Sequence, residues 1–112
     1  MDEDRARCAM QIILHAGDAR LKTMEALKAL DSFNVDEAKR LLESAQKDII
    51  EAHKVQTVEL QREANGETAE YSVLLTHAQD TCMTVYSEMN IAEHLIELTE
   101  VIDKRFKAIE QK

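Results

Sequence analysis

Four histidines and two cysteines are the side chains in this 112-residue sequence most suited to nucleophilic or metal chemistry. His15, His53 and His94 stand among Ala, Glu and Leu with no chemical companion and read as structural. His77 differs, because Asp80 follows one helical turn later on the same face, with Gln79 and Thr81 beside it. A helical zinc site of the hydrolytic kind needs two His four residues apart with a Glu, and a carboxylate-bridged di-metal bundle needs repeated Glu-x-x-His pairs. The residues three before the histidines are Ile12, Ile50, Leu74 and Ile91, so neither pattern is present. No Ser or Cys lies one turn from His77, so a paired Ser or Cys nucleophile would have to come from elsewhere in the fold. Two roles remain: His77 acts itself as a nucleophile, or His77 and Asp80 form parts of a site between subunits. Cys8 and Cys82 lack the spacing of a zinc knuckle or dithiol motif and read as reduced packing residues, with a disulfide as the alternative.

Helices must position these side chains. The sequence has no Pro or Trp, two Gly and 4% aromatic residues, which removes the residue types that build and punctuate sheets. Two breaks divide it. Asp31, Ser32, Phe33 and Asn34 form a turn-rich segment in which Asn34 reads as an N-cap and Glu37 as its capping-box partner. Asn65 and Gly66 form the second break, with Gly66 placed to take the left-handed conformation that ends a helix. The reading is one domain over 1–112, with helices at about 4–30, 35–64 and 67–109, the third starting at Glu67 or Thr68.

Each helix carries an apolar stripe at spacings of three and four. The stripes are Ala9, Ile12, Ala16, Ala19, Thr23, Ala26 and Leu30; Leu42, Ala45, Ile49, Ala52, Gln56 and Leu60; and Leu75, Ala78, Cys82, Val85, Met89, Ala92 and Ile96. Short connections make this an all-α, antiparallel up-down-up three-helix bundle. The third helix bears a second stripe, about 200° around its axis: His77, Asp80, Thr84, Ser87, Ile91, His94, Leu98 and Val101. A lone bundle covers only one of these faces, so the sequence predicts association between chains, with the last turns of the long third helix projecting beyond the other two.

The charge balance is 14 Lys plus Arg against 22 Asp plus Glu, a net −8, which argues against a nucleic-acid partner. The charged start MDEDRARCAM does not resemble a signal peptide, and no apolar run nears the ~20 residues of a membrane span. The expectation is a cytoplasmic protein with no membrane insertion.

The run LLTHAQDTCMTV, from Leu74 to Val85, resembles the active-site helix of enzyme IIA from the lactose/cellobiose (N,N'-diacetylchitobiose) family of the bacterial phosphoenolpyruvate-dependent sugar phosphotransferase system. ILHAGDAR (Ile13 to Arg20), EAHKVQTVELQREANGE (Glu51 to Glu67) and HLIELTEVI (His94 to Ile102) resemble it in the same order. The resemblance implies a homotrimer of three-helix bundles in which His77 accepts a phosphoryl group from phosphocarrier protein HPr. A cysteine of the cognate enzyme IIB then takes the group. It also implies that Asp80 meets its two symmetry mates around Mg2+ or another divalent cation on the threefold axis, a hard-oxygen arrangement that suits such an ion. Gln79 and Thr81 are candidates to orient the imidazole or the phosphoryl oxygens. Members of the family often carry a second His and a Leu where this chain has Thr81 and Cys82. The competing readings are a non-catalytic helical scaffold or regulatory adaptor of the same fold and, third, a metal-binding bundle that takes up metal without phosphoryl transfer.

Overall fold

The computed structural model describes residues 3–67 and 71–111. Three helices follow one another: α1 (Glu3–Ala29), α2 (Val35–Ala64) and α3 (Val73–Glu110), with a single 3-10 turn, Leu30–Ser32, between the first two. Among the described residues there is no strand, and the bundle runs up-down-up, as ion pairs along its length require. Arg5 at the start of α1 meets Glu59 and Glu63 near the end of α2, Lys22 meets Asp48, and Lys39 at the start of α2 meets Glu100 on α3. Arg20 of α1 meets Glu88 of α3 at 2.9 Å, so α1 and α3 run parallel and residues about 68 apart in number stand at equal height.

Alanine makes the bundle narrow. Ala9, Ala16, Ala19 and Ala26 of α1 face Ala38, Ala45 and Ala52 of α2 and Ala78 and Ala92 of α3, all at or near zero exposure. Small side chains let helix axes approach toward the lower end of the ~8–10 Å range, and Ile12, Leu42, Ile49, Leu75, Val85, Met89 and Ile96 fill the space that remains. The buried set on α3 is the one the spacing predicts, Leu75 through Ile96.

The other two stripes differ from expectation at one end each. Leu30 is only half-buried, because the chain has tightened into the 3-10 turn there. Leu60 is 47% exposed, and its neighbour Glu59 is fully buried in its place. The buried position is offset by one residue because Arg5, itself 5% exposed, occupies the matching core position on α1 and supplies a cation for Glu59.

The first break is made by Phe33, not by a glycine. Phe33 has φ 59°, donates its N–H to the carbonyl of Leu30 at 2.9 Å, and packs edge-on against Phe106 with ring centroids 6.5 Å apart. An aromatic residue in the left-handed region is uncommon, and the contact with the last turns of α3 offsets its strain. Asn34 caps α2 by accepting the N–H of Glu37 at 3.3 Å, but the Glu37 carboxylate does not return the bond. It pairs with Arg40 one turn along. Gly66 takes φ 74° and ends α2 as expected.

The third helix begins later than the sequence reading placed it. Glu67 is not helical, Thr68 lies outside the described residues, and α3 opens at Val73, where the Ser72 hydroxyl accepts the N–H of Leu75 at 3.1 Å. With 38 residues α3 is the longest element, and its final turns extend past the start of α2 to carry Phe106.

Candidate functional site

His77 lies in the second turn of α3, one residue before the buried Ala78, and its side chain is exposed. Ser72 fixes where the helix starts, and Leu75, Ala78 and Cys82 anchor its inner face, so the outer face carrying His77 has a rigid base. Among the described residues the imidazole has no hydrogen-bond or ion-pair partner, which leaves both ring nitrogens open to an incoming group.

Asp80 is exposed on the same outer side, and among the described residues no cation pairs with it. Among the described residues no three His, Cys, Asp or Glu side chains of one chain converge on a metal-sized site. A cation at Asp80 would therefore draw its other protein ligands from further chains, and an exposed, unpaired, hard carboxylate oxygen is a donor that suits Mg2+.

Thr81 sits beside His77, half-buried, and its hydroxyl donates to the carbonyl oxygen of His77 at 2.8 Å. That bond uses its only proton on the helix backbone and leaves lone pairs facing outward. Gln79 stands about 200° around the helix from the imidazole, on the flank of α3 turned toward α2. Its Nε2 is buried and finds no acceptor among the described residues. Within one chain the structure thus groups His77, Asp80 and Thr81 and sets Gln79 apart from them.

The remaining histidines have other surroundings. His53 packs edge-on against Tyr86, ring centroids 5.3 Å apart, and His94 is highly exposed with Glu97 at 3.6 Å. Both cysteines are free; burial pushes the Cys82 thiol above its ordinary pKa, and burial with the nearby Glu59 does the same to Cys8.

Below His77 the outer face of α3 becomes apolar. Ile91, Leu95, Leu98 and Ile102, spaced four, three and four, are all exposed, while His94 points away from this seam toward Glu97. Leu95 and Ile102 thus join Ile91 and Leu98 on the exposed side of α3, where His94 and Val101 of the predicted stripe are exposed as well. Their spacing from Ile91 was the available signal. A second outward ridge went unread on α1: Met10, Leu14, Leu21 and Met24, all exposed, with Gly17 between them. Among the described residues no helix is long and apolar enough to cross a membrane.

Comparison with known proteins agrees with this arrangement. Residues 7–100 match the family described as the PTS system, Lactose/Cellobiose specific IIA subunit. The chain is 38% identical to the lichenan-specific phosphotransferase enzyme IIA component of Bacillus subtilis over 94% of its own length and 96% of that protein. It is 42% identical to the lactose-specific EIIA component of Streptococcus mutans over 86% of its length and 92% of the relative. The crystal structure of the cellobiose-specific enzyme IIA from Bacillus anthracis superposes with a TM-score of 0.86 at 36% identity, covering 93% of this chain and 95% of that one. A three-helix bundle with the HAQD turn at the head of its longest helix, matched along nearly its whole length by such proteins, belongs to the lactose/cellobiose-specific IIA subunit family of the sugar phosphotransferase system.

Proposed function

We propose that the chain is a phosphoryl carrier: His77 accepts a phosphoryl group from phospho-HPr and passes it to a cysteine of the cognate enzyme IIB during uptake of lactose- or cellobiose-type sugars. The observation that carries this reading is the exposed imidazole of His77, free of partners among the described residues, on a helix face with a rigid base. In its neutral form one ring nitrogen attacks phosphorus in line, the phosphoryl bond to the donor breaks, and a phosphorus–nitrogen bond forms. In the second transfer a thiolate sulfur attacks and that bond breaks, returning the imidazole. Both steps are displacements between nucleophiles held by proteins, so the chain contributes position and exclusion of water. An exposed helix face suits this better than a deep pocket, because each partner must bring its own nucleophile to within bonding distance.

The exposed seam Ile91, Leu95, Leu98 and Ile102 supports assembly through α3, and a homotrimer is the state we assign. Around its axis the three Asp80 carboxylates would hold Mg2+ or a similar divalent ion, which supplies charge neutralisation between like charges. Thr81 steadies His77 through the backbone, and Gln79, on the opposite flank, can reach a phosphoryl group only from a neighbouring copy. The test is transfer itself. Enzyme IIA carrying labelled phosphate is mixed with a purified enzyme IIB; label should move to the IIB cysteine and not to its Cys→Ser variant. Label that leaves only as free phosphate contradicts the carrier role.

A further inference from the structure

Two exposed surfaces of the bundle match each other, beyond the contacts that Lys28 makes with Asp31, Glu97 with His94 and Tyr86 with His53 in their own chain. On α1, Leu14, Gly17, Leu21, Met24 and Lys28 follow one another at three and four residues along the outward side. A Cβ built at Gly17 meets nothing within 4 Å. On α3, the flank turned toward α2 repeats the same spacing in Met83, Tyr86, Asn90, Glu93 and Glu97, all of them exposed. This flank borders a trough between α2 and α3, with cavities of about 480 and 330 Å³ at its lower and upper parts and Glu43, Glu93 and Glu97 on its rim.

The Arg20–Glu88 pair sets the relative height of α1 and α3 within a chain, and by that register Leu14 stands level with Met83, Gly17 with Tyr86, and Lys28 with Glu97, each to within about one residue, or ~1.5 Å. A rotation axis parallel to the helices leaves every residue of the next copy at its original height. We propose that the α1 ridge of one copy packs along this α3 flank of the next, so that the Tyr86 ring lies over Gly17, Leu14 meets Met83, and Lys28 meets Glu93 and Glu97. Large faces small, apolar faces apolar, and cation faces anion. The contact is head-to-tail, and repeated around the axis it closes a ring whose centre is the Ile91–Ile102 seam. This inference rests on the homotrimer assigned above and adds which surfaces join.

Steric and charge exchange tests it on the intact chain, read by sedimentation over a concentration series with circular dichroism as the check on folding. Gly17→Leu has open space within its own chain, so the helix should form normally while assembly weakens about tenfold or more, and Tyr86→Ala in the same chain should recover most of the loss. Lys28→Glu should weaken assembly, and Glu97→Lys added to it should restore it. If Gly17→Leu fails to fold, the Lys28 and Glu97 exchange decides. Trimers unaffected by these substitutions, or single variants not rescued by their partners, overturn the seam while leaving the trimer standing. A wild-type chain that sediments as a monomer at every concentration removes the trimer, and the seam with it.

Discussion

The Thr81 hydroxyl donates to the carbonyl oxygen of His77 at 2.8 Å, one turn back along α3. The threonine thus holds the backbone that carries the imidazole and has no proton left for a phosphoryl oxygen. Thr81→Ala should keep phosphoryl acceptance, with a rate loss under about tenfold, measured as single-turnover phosphorylation. Loss of more than a hundredfold would mean that the hydroxyl turns outward and contacts the phosphoryl group.

Asp80 lies on the outer face of α3 with no cation beside it among the described residues. In the proposed homotrimer the three Asp80 carboxylates meet on an axis and repel unless a cation sits between them. Chelation should therefore weaken the wild-type trimer, and added magnesium should restore it. Asp80→Leu should give a trimer indifferent to chelator, since a charged cluster can be replaced by packed apolar groups. Sedimentation of both proteins with and without chelator decides; a chelation-insensitive wild type together with a dissociated Asp80→Leu variant contradicts the axial ion.

The Arg5–Glu59 pair, with Nε 3.5 Å from the carboxylate oxygen, is almost wholly removed from solvent. Glu59→Ala removes the fully buried carboxylate that faces the Arg5 guanidinium in the core, so the variant should lose about 3–5 kcal/mol of folding stability in urea titration. Breaking the exposed Glu37–Arg40 pair should produce no measurable change.

Burial raises the pKa of both thiols, which lowers the thiolate fraction at any given pH. Iodoacetamide should modify Cys82 far more slowly than a free cysteine at pH 8 and Cys8 moderately more slowly. Unfolding should equalise them. Rapid labelling of native Cys82 would show that the helices open locally.

Periodicity carried most of the fold. The α3 core from Leu75 to Ile96 and the cap at Asn34 were legible because each depends on residues within a few turns. The exchange of Leu60 for Glu59 was not, since its cause is Arg5 on another helix, 54 positions earlier. The start of α3 moved to Val73 because a Ser72 cap, six residues beyond Gly66, overrides the simple expectation that a helix resumes directly after a break. At the site, His77, Asp80 and Thr81 could be grouped from spacing alone. The separation of Gln79 follows from the same helical geometry, but the burial of its Nε2 without an acceptor among the described residues shows only in the fold.

The central claim is that His77 carries the phosphoryl group. Incubation with phosphoenolpyruvate, enzyme I and HPr, followed by intact-protein mass spectrometry, should show one added phosphoryl group per chain, labile in acid and stable in base. His77→Gln should show none while remaining helical and assembled, and substitution of His15, His53 or His94 should leave the modification intact. A phosphoryl group that persists in His77→Gln, or that vanishes when one of the other three histidines alone is changed, would contradict the assignment.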